Sequence, residues 1–250
     1  MKFKDHFSGH AVEYAKFRPR YPDKMFEYLA SISPRPERAW DCATGNGQAA
    51  VGLARHFDNV TATDATAQQI ESAEPNDRIS YRVAPAEASG IDSASVDLIL
   101  VAQALHWFDI DRFFTEAKRV LKEDGVLAIS SYNVLQISPE IGAIIRNFYR
   151  KTTGPFWPPE RELVETDYED IKFPFAELSP VRFEMRARWN LHHLAGYLRT
   201  WSATQKFIAA RGFDPVDSLV RELGTVWKNP EELREIKWPL HLRVGVLKRR

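Results

Sequence analysis

Residues 41–48 have the sequence DCATGNGQ, and this stretch decides the fold class. A strand pattern precedes it at residues 40–42, and a helical pattern follows at residues 47–56. Glycines at such a strand-to-helix turn let the backbone approach a ligand closely, and the free amide groups at the helix start favour negative ligand groups. The stretch therefore predicts a ligand-binding loop at the carboxyl end of the first strand of an α/β sheet.

The alternation of strand and helix patterns continues beyond this loop. Strands are predicted at residues 40–42, 60–63, 79–83, 96–101 and 126–130, with helices at 47–56, 67–73 and 112–121. This order predicts βαβ units and a mostly parallel sheet with helices on both faces. Residues 181–189 and 240–246 alternate apolar and polar side chains, which predicts two half-exposed strands towards one edge, where an antiparallel strand is normal.

Two inserts accompany these strands. Residues 134–178 combine prolines with aromatic residues, and this composition predicts a packed cap and not a disordered linker. Residues 191–210 and 216–226 have helical patterns, with a stop and restart around Gly212. The second insert therefore lies between the last two predicted strands.

Composition and charge limit the function classes. The 250 residues contain 34 Lys and Arg against 34 Asp and Glu, and 44% are hydrophobic. Such a chain is expected to fold, and its balanced charge argues against nucleic acid or an anionic membrane as a partner. The single cysteine, Cys42, excludes an intrachain disulfide and a thiolate metal cluster, and no metal is expected. Without a secretory or membrane-spanning pattern, a cytoplasmic protein is expected.

Two acidic residues indicate the charge of the ligand. Asp41 ends the first predicted strand beside the glycines, where it would repel a diphosphate and attract a cationic group. Asp64 follows Gly47 by 17 residues, at the end of the second predicted strand, where a carboxylate can accept two hydrogen bonds from a ribose diol. With Ala50 the loop also satisfies the relaxed dinucleotide fingerprint, so a nicotinamide cofactor stays an alternative. Charge favours an adenosine that carries an amino acid, namely S-adenosylmethionine.

Several segments, taken in order, resemble the class I S-adenosylmethionine-dependent methyltransferases, type 11. These segments are DCATGNGQ at residues 41–48, Asp64, APAEASGI at 84–91, VDLILVAQALHWF at 96–108 and RVLKEDGVL at 119–127. The resemblance covers roughly residues 39–132, and the motifs in order are far more specific than any one alone. FSGHAVEYAKFRPRYP at residues 7–22 is similar to a subset that includes the trans-aconitate methyltransferase-like proteins, which favours a small-molecule substrate.

The resemblance implies a fold and a domain organisation. The expected fold is one Rossmann-like α/β domain over residues 1–250, with a seven-stranded, mostly parallel sheet, an antiparallel last strand and helical cap inserts. Its parts are expected to be N-terminal cap helices at 1–34, a cofactor-binding core at 35–133, a cap insert at 134–178, and the last two strands at 179–250 with a helical insert at 191–227.

Site residues follow from the same resemblance. Those expected to bind the cofactor are Tyr14, Arg18, Asp41, Ala43, Thr44, Gly45, Gly47, Gln48, Asp64, Ala65, Ala86, Glu87, Gln103 and Ala104. Tyr14 and Arg18 are also candidates for substrate contact. The acceptor side is expected to include His106, Trp107, Trp157 and Trp201. His106 is a candidate general base, while packing roles remain the alternative for all four residues.

The expected activity is methyl transfer from S-adenosylmethionine to a small-molecule acceptor, with a carboxylic acid as one candidate. Positioning is expected to outweigh base catalysis in this in-line displacement, because well-oriented reactants gain roughly 7 to 11 kcal/mol and a base gives about 10² to 10⁴ in rate. A nicotinamide-dependent oxidoreductase and a non-catalytic cofactor-binding protein remain alternatives. The protein is expected to be a monomer or a homodimer.

Overall fold

A mixed β-sheet of eight strands runs through the computed structural model, which describes residues 16–248. The strands are β1 (Arg38–Cys42), β2 (Asn59–Asp64), β3 (Ile79–Val83), β4 (Val96–Ala102), β5 (Leu121–Tyr132), β6 (Ala176–Glu177), β7 (Val181–Trp189) and β8 (Arg234–Val246). Strands β1 to β5 pair in parallel in the order β3-β2-β1-β4-β5, and β8 lies antiparallel beside β5.

Two strands share the outer edge of β8. The short strand β6 pairs with Gly245 and Val246, and β7 pairs with residues 234–242. The eight strands therefore occupy seven positions across the sheet. The prediction of a seven-stranded, mostly parallel, Rossmann-like sheet with an antiparallel last strand is confirmed.

Helices cover both faces of the sheet. They are α1 (Asp23–Ile32), α2 (Gln48–Leu53), α3 (Ala67–Glu71), α4 (Ile110–Val120), α5 (Pro139–Asn147), α6 (Arg161–Glu165), α7 (Leu191–Arg199), α8 (Ser202–Arg211) and α9 (Val216–Trp227). Short 3₁₀ or π turns lie at Leu105–Trp107, Phe148–Thr152 and Gly154–Phe156. The three helices predicted between the core strands are present as α2, α3 and α4, and the cap insert contains α5 and α6.

The prediction of one helix over residues 191–210 is wrong. The chain leaves the helical conformation at Trp201, whose φ and ψ angles are −67° and 132°, so α7 and α8 are separate helices. This break lets the Trp201 ring pack edge-on against Tyr197 and Tyr149, with ring centroids 5.9 and 5.6 Å apart. Tertiary packing of one large aromatic side chain thus overrides the local helical pattern.

Two apolar clusters fix the layers. Leu98 and Leu100 of β4 pack in one cluster with α1, α2, α7 and α9, while Ile99 and Val101 pack in the other with α4 and α6. All four side chains are fully buried, and each such burial stabilises the fold by about 1.5–3 kcal/mol. The prediction that residues 96–101 form a central strand is confirmed.

The N-terminal segment and the second insert meet beside the carboxyl ends of the strands. The Phe17 ring packs directly against Gly196 of α7. Arg18 donates a hydrogen bond to the Thr200 carbonyl oxygen at 3.1 Å and another to the Tyr132 hydroxyl, at the end of β5, at 3.0 Å. Helix α9 packs on α7 and α5, which joins the two inserts. Arg18 is therefore held between the inserts and the sheet.

Candidate active site

The glycine loop, residues 43–47, turns sharply between β1 and α2. Gly45 and Gly47 have φ angles of 56° and 86°, which side chains with a Cβ atom rarely adopt. A Cβ atom on Gly47 would lie 2.5 Å from the Tyr81 hydroxyl oxygen, whereas one on Gly45 would meet only Gln69, at 3.8 Å. Packing therefore requires a glycine at 47, and the backbone at Gly45 faces open space.

Asp41 is a buried carboxylate beside this loop. Its Oδ2 accepts a hydrogen bond from the Thr44 hydroxyl at 2.5 Å, and its Oδ1 has no hydrogen-bond partner within the described residues. Burial raises the pKa of Asp41 to about 7, with a smaller contribution from the nearby charge of Asp64, although the Thr44 hydrogen bond opposes this rise. A fully buried acid with an unpaired oxygen favours a cationic partner.

Asp64 lies at the end of β2, on the other side of the loop. Its Oδ2 accepts a hydrogen bond from the Gly45 amide at 3.0 Å, and its Oδ1 accepts one from the Thr66 amide at 2.9 Å. Because a carboxylate has about four acceptor positions, these two bonds leave capacity for ligand hydroxyl groups. Asp64 thus both holds the loop and remains able to bind a diol.

The residues after β3 form the next wall of the crevice. Ala86 is buried, and Ala65 and Glu87 are half-buried. The Glu87 Oε1 accepts a hydrogen bond from the Asp109 amide at 2.8 Å, and Asp109 in turn caps α4. Glu87 therefore joins the loop after β3 to the start of α4.

Gln103 and Ala104 follow β4. The Gln103 side chain exchanges two hydrogen bonds with the backbone of Tyr132, donating to its carbonyl oxygen at 3.0 Å and accepting from its amide at 2.7 Å. This residue has a positive φ of 59°, and Ala104 is buried. The pair fastens the end of β4 to the end of β5, where the crevice opens into a second cavity.

The aromatic cavity lies beside Gln103 and is partly open to solvent. Its lining consists of Arg18, Gln103, His106, Trp107, Tyr132, Asn133, Val134, Tyr149, Trp157, Pro158, Arg161, Tyr197, Trp201 and Ser202. Two guanidinium groups and several aromatic rings contribute to it. Within the described residues, no Asp or Glu belongs to the lining.

Arg161, from α6 in the cap insert, is the second cation of the cavity. Its Nε donates to the Tyr149 hydroxyl at 3.0 Å, its Nη2 donates to the Asn133 side-chain oxygen at 3.4 Å, and its guanidinium lies 5.0 Å from the Trp157 ring centroid. Nη1 makes no hydrogen bond within the part of the chain described. Burial raises the pKa of Tyr149 to about 12, so this phenol stays protonated.

His106 lines the same cavity from the 3₁₀ turn after β4. Its Nδ1 lies 2.9 Å from the Tyr168 hydroxyl, and its ring packs on Trp107 with centroids 4.5 Å apart. Burial, together with the charge of Arg161, lowers the pKa of His106 to about 3. The imidazole is therefore neutral at physiological pH.

The structure thus distributes the predicted site residues over two neighbouring regions. The first region surrounds the loop and the ends of β1 to β3, and it contains Asp41, Ala43, Thr44, Gly45, Gly47, Gln48, Asp64, Ala65, Ala86 and Glu87. The second region is the aromatic cavity beside Ala104, which is lined by Arg18, Gln103, His106, Trp107, Trp157 and Trp201. Tyr14 lies outside the described residues.

Sequence reasoning missed eight of the residues that line the cavity, among them Arg161, Tyr132 and Tyr149. Arg161 follows two prolines in an insert without a motif, so nothing in the sequence distinguished it from a surface arginine. Arg182, Arg186 and Arg188 of β7 lie on an exposed strand face and do not line the cavity.

Comparison with known proteins decides which ligand these regions serve. The family model described as "Methyltransferase domain" matches residues 40–129. A protein of Dictyostelium discoideum, named as a methyltransferase, is 32% identical over an alignment of 248 residues that covers 96% of this chain and 94% of the relative. The chain belongs to the methyltransferase family.

Solved methyltransferase structures agree. A structure from Anaeromyxobacter dehalogenans, described as a type II methyltransferase, is 39% identical with a TM-score of 0.87, covering 94% of this chain and 100% of that chain. A Haemonchus contortus phosphoethanolamine N-methyltransferase, bound to phosphomonomethylethanolamine and S-adenosylhomocysteine, shares the fold alone, at 16% identity and a TM-score of 0.54 over 100% of this chain and 61% of that chain. The protein is an S-adenosylmethionine-dependent methyltransferase. Neither the oxidoreductase nor the non-catalytic alternative gains support, and the trans-aconitate-like subgroup stays a resemblance.

The residues around the glycine loop fit S-adenosylmethionine. The buried Asp41 Oδ1, which has no hydrogen-bond partner within the described residues, suits the cofactor's ammonium group, and the space in front of Gly45 admits a ligand close to the backbone. In the described part of the chain, no cluster of three or more His, Cys, Asp or Glu is placed to hold a metal ion. None of the helices in residues 16–248 has the length and apolar character needed to cross a membrane.

Proposed function

We propose that this methyltransferase methylates a carboxylate oxygen of a small organic acid bound in the aromatic cavity. The observation that carries the proposal is the charge of the lining, which includes the guanidinium groups of Arg18 and Arg161 and, among the described residues, no carboxylate. A guanidinium group binds a carboxylate through two parallel, charge-assisted hydrogen bonds. A cationic acceptor would meet repulsion in the same cavity.

The cofactor is proposed to lie along the glycine loop. Asp41 would hold the ammonium group, Asp64 the ribose hydroxyls, and the segment at Ala86 and Glu87 the adenine. When bound, S-adenosylmethionine supplies a methyl group activated by a positive sulfur, which an acceptor atom takes by in-line displacement, leaving S-adenosylhomocysteine. Gln103 contributes to both regions, since it ends β4 and also lines the cavity.

The chain's own contribution to the rate is proposed to be positioning. Arg18 is fixed by Tyr132 and Thr200, and Arg161 by Tyr149 and Asn133, so both cations are ordered before an acceptor arrives. Preorganised groups of this kind account for much of the roughly 7 to 11 kcal/mol that well-oriented reactants can gain. The aromatic walls exclude water from around the acceptor.

A carboxylic acid also fits the lack of a strong base. Carboxylic acids ionise near pH 4, so the acceptor oxygen arrives without its proton at neutral pH. A phenol or alcohol would need a group to remove its proton, and the pKa of His106, at about 3, makes the imidazole a weak base.

The test measures S-adenosylhomocysteine release with matched sets of acceptors, each an acid, its primary amide and its alcohol. We expect turnover with acids and little with the amides and alcohols. Turnover of neutral members without the acids would contradict the proposal. Bound cofactor with no release for any acceptor would favour the non-catalytic alternative.

Two arginine variants localise the effect. Arg161→Gln should raise the acceptor KM roughly 10- to 100-fold, because a hydrogen bond to a charged group is lost. Arg188→Gln, on the exposed face of β7, is the matched control and should leave KM unchanged. Cofactor affinity, measured by calorimetry, should not change in either variant.

A further inference from the structure

His106 and Tyr168 form a buried pair in the wall of the aromatic cavity. His106 lies in the turn after β4, and Tyr168 comes from the cap insert just after α6. Their side chains are 8% and 1% exposed, and the Tyr168 hydroxyl oxygen lies 2.9 Å from the His106 Nδ1. Within the described residues this is the one hydrogen bond of the imidazole ring. Nε2 is therefore the ring nitrogen available to an acceptor.

The donor in this hydrogen bond follows from the surroundings of the phenol. Within the described residues, Nδ1 of His106 is the one hydrogen-bond partner of the buried Tyr168 hydroxyl, so a proton on Nδ1 would leave the phenol proton without an acceptor. Burial raises the pKa of Tyr168, so the phenol keeps its proton. The hydroxyl thus donates its own proton to Nδ1. A neutral imidazole that accepts at Nδ1 carries its proton on Nε2.

The charged neighbours keep this imidazole neutral. The Arg161 guanidinium, from α6, opposes a second positive charge, and burial acts in the same direction. On the Tyr168 side, Asp167 is engaged elsewhere: its carboxylate accepts from the Ser131 hydroxyl at 3.0 Å and lies 3.1 Å from the His241 Nε2. No carboxylate therefore faces His106 to favour its protonation, among the residues described.

The backbone that presents Tyr168 is held in a strained turn. Asp167 and Tyr168 are consecutive non-glycine residues with positive φ angles of 51° and 61°. Such conformations persist where surrounding contacts fix them. Arg243 of β8 supplies these contacts, because its Nη1 donates to the carbonyl oxygens of Tyr168 and Ile171 at 2.7 and 2.8 Å. The sheet thus fixes the position of the phenol against His106.

We propose that Tyr168 is a positioning residue that holds His106 as an Nε2–H donor, and that His106 binds the anionic oxygen of the acceptor and removes no proton. The proposal rests on the proposed function for the identity of the acceptor. It assigns to His106 a role in selecting acceptors that are already ionised. The sequence led us to expect a general base, which needs a ring nitrogen without a proton facing the acceptor. Here Nε2 faces the acceptor and carries a proton.

The first test reads the proton position directly, without turnover. Nitrogen NMR of the full chain labelled at histidine distinguishes a protonated ring nitrogen from a bare one, and the signals lost in His106→Gln assign the residue. We expect a proton on Nε2 and a bare, hydrogen-bonded Nδ1. Tyr168→Phe should shift the Nδ1 signal towards the free-imidazole position, while Tyr28→Phe, on α1 and outside the cavity lining, should not. A proton on Nδ1 would overturn the proposal.

The second test compares two replacements of His106 on an acid that the enzyme methylates. Glutamine offers an N–H donor and can still accept from Tyr168, whereas alanine offers neither. His106→Ala should lower kcat/KM roughly 10- to 100-fold, the effect of losing a hydrogen bond to a charged group, and His106→Gln should recover most of that loss. Equal losses in both variants would overturn the donor role.

The two tests separate this inference from the proposed function. If no acid is methylated but the NMR signals show Nε2 protonated, the acceptor class is wrong and the positioning of His106 by Tyr168 stands. If acids are methylated but Nδ1 carries the proton, the proposed function stands and this inference is wrong.

Discussion

The protonation of Asp41 gives a measurable signature of what the glycine loop binds. This carboxyl group is fully buried, one of its oxygens has no partner within residues 16–248, and burial raises its pKa to about 7. An ammonium group placed against it stabilises the ionised form, so binding should release the proton that the free protein carries. We expect S-adenosylmethionine binding to be coupled to proton release, and Asp41→Asn to abolish the coupling.

The magnitude follows from the pKa. With a value of about 7, Asp41 carries about 0.9 proton at pH 6, about 0.5 at pH 7 and about 0.1 at pH 8. Those amounts are released if the bound carboxylate is fully ionised. The cost of ionisation should also make the affinity of the wild type rise about tenfold from pH 6 to pH 8.

Calorimetric titrations in two buffers of different ionisation enthalpy count the released protons. At pH 6 and 7 the cofactor's own amino group is mostly protonated before it binds, so the difference between wild type and Asp41→Asn reports the carboxylate. Asp58→Asn, at an exposed position away from the loop, is the control and should behave as the wild type. If the wild type releases no more protons at pH 7 than Asp41→Asn, then the ammonium group does not bind at Asp41 and the assignment of the loop is wrong.

Three further predictions test the loop and the cavity. Gly45→Ala should weaken cofactor binding strongly, whereas Gly90→Ala, with a similar φ of 68° and no neighbour within 4 Å, should cost only about 1–2 kcal/mol in unfolding free energy. Asp64→Ala should weaken S-adenosylmethionine binding at least roughly tenfold by calorimetry, since it loses ligand and loop hydrogen bonds, and equal affinity would refute this role. His106 has a lowered folded-state pKa, so its stabilising effect is present above about pH 6.5 and is lost as pH falls towards about 3. Chemical denaturation should therefore show a loss of up to about 1.4 kcal/mol per pH unit in that window, which His106→Gln removes.

Local patterns predicted most strands of the sheet, because burial on one face or on both faces leaves a recognisable pattern of apolar residues in each strand. Residues 96–101 are apolar on both faces, as β4 must be between two layers, and β7 occupies its predicted bounds. The start of β8 was missed by six residues, since Pro239 interrupts the alternation. Before that proline, β8 pairs with β7 and, at Lys237, with Gln136, and its pairing with β5 begins only at Leu240. The missing N–H of Pro239 therefore lies outside the pairing with β5.

The two halves of the candidate site differ in how far sequence could predict them. The glycine loop and Asp64 depend on glycine conformations and strand ends, which are local properties. The aromatic cavity depends on the docking of an insert against the sheet, so no spacing predicts that Arg161 faces His106. The turn at Asp167 and Tyr168 has positive φ angles without glycine, and only the contacts of Arg243 explain it.

The two regions also carry opposite charges, and this division bears on how selectivity arises. The loop holds the acids Asp41 and Asp64, and the cavity holds the cations Arg18 and Arg161. An acidic acceptor is therefore repelled from the loop, and a cationic molecule from the cavity, so each ligand is directed to its own region by electrostatics. Because the cavity cations come from the N-terminal segment and the cap insert, exchanging them should change the acceptor class without altering the acids that we propose to bind the cofactor. A variant that loses both arginines should accordingly bind S-adenosylmethionine normally while losing its preference for acids.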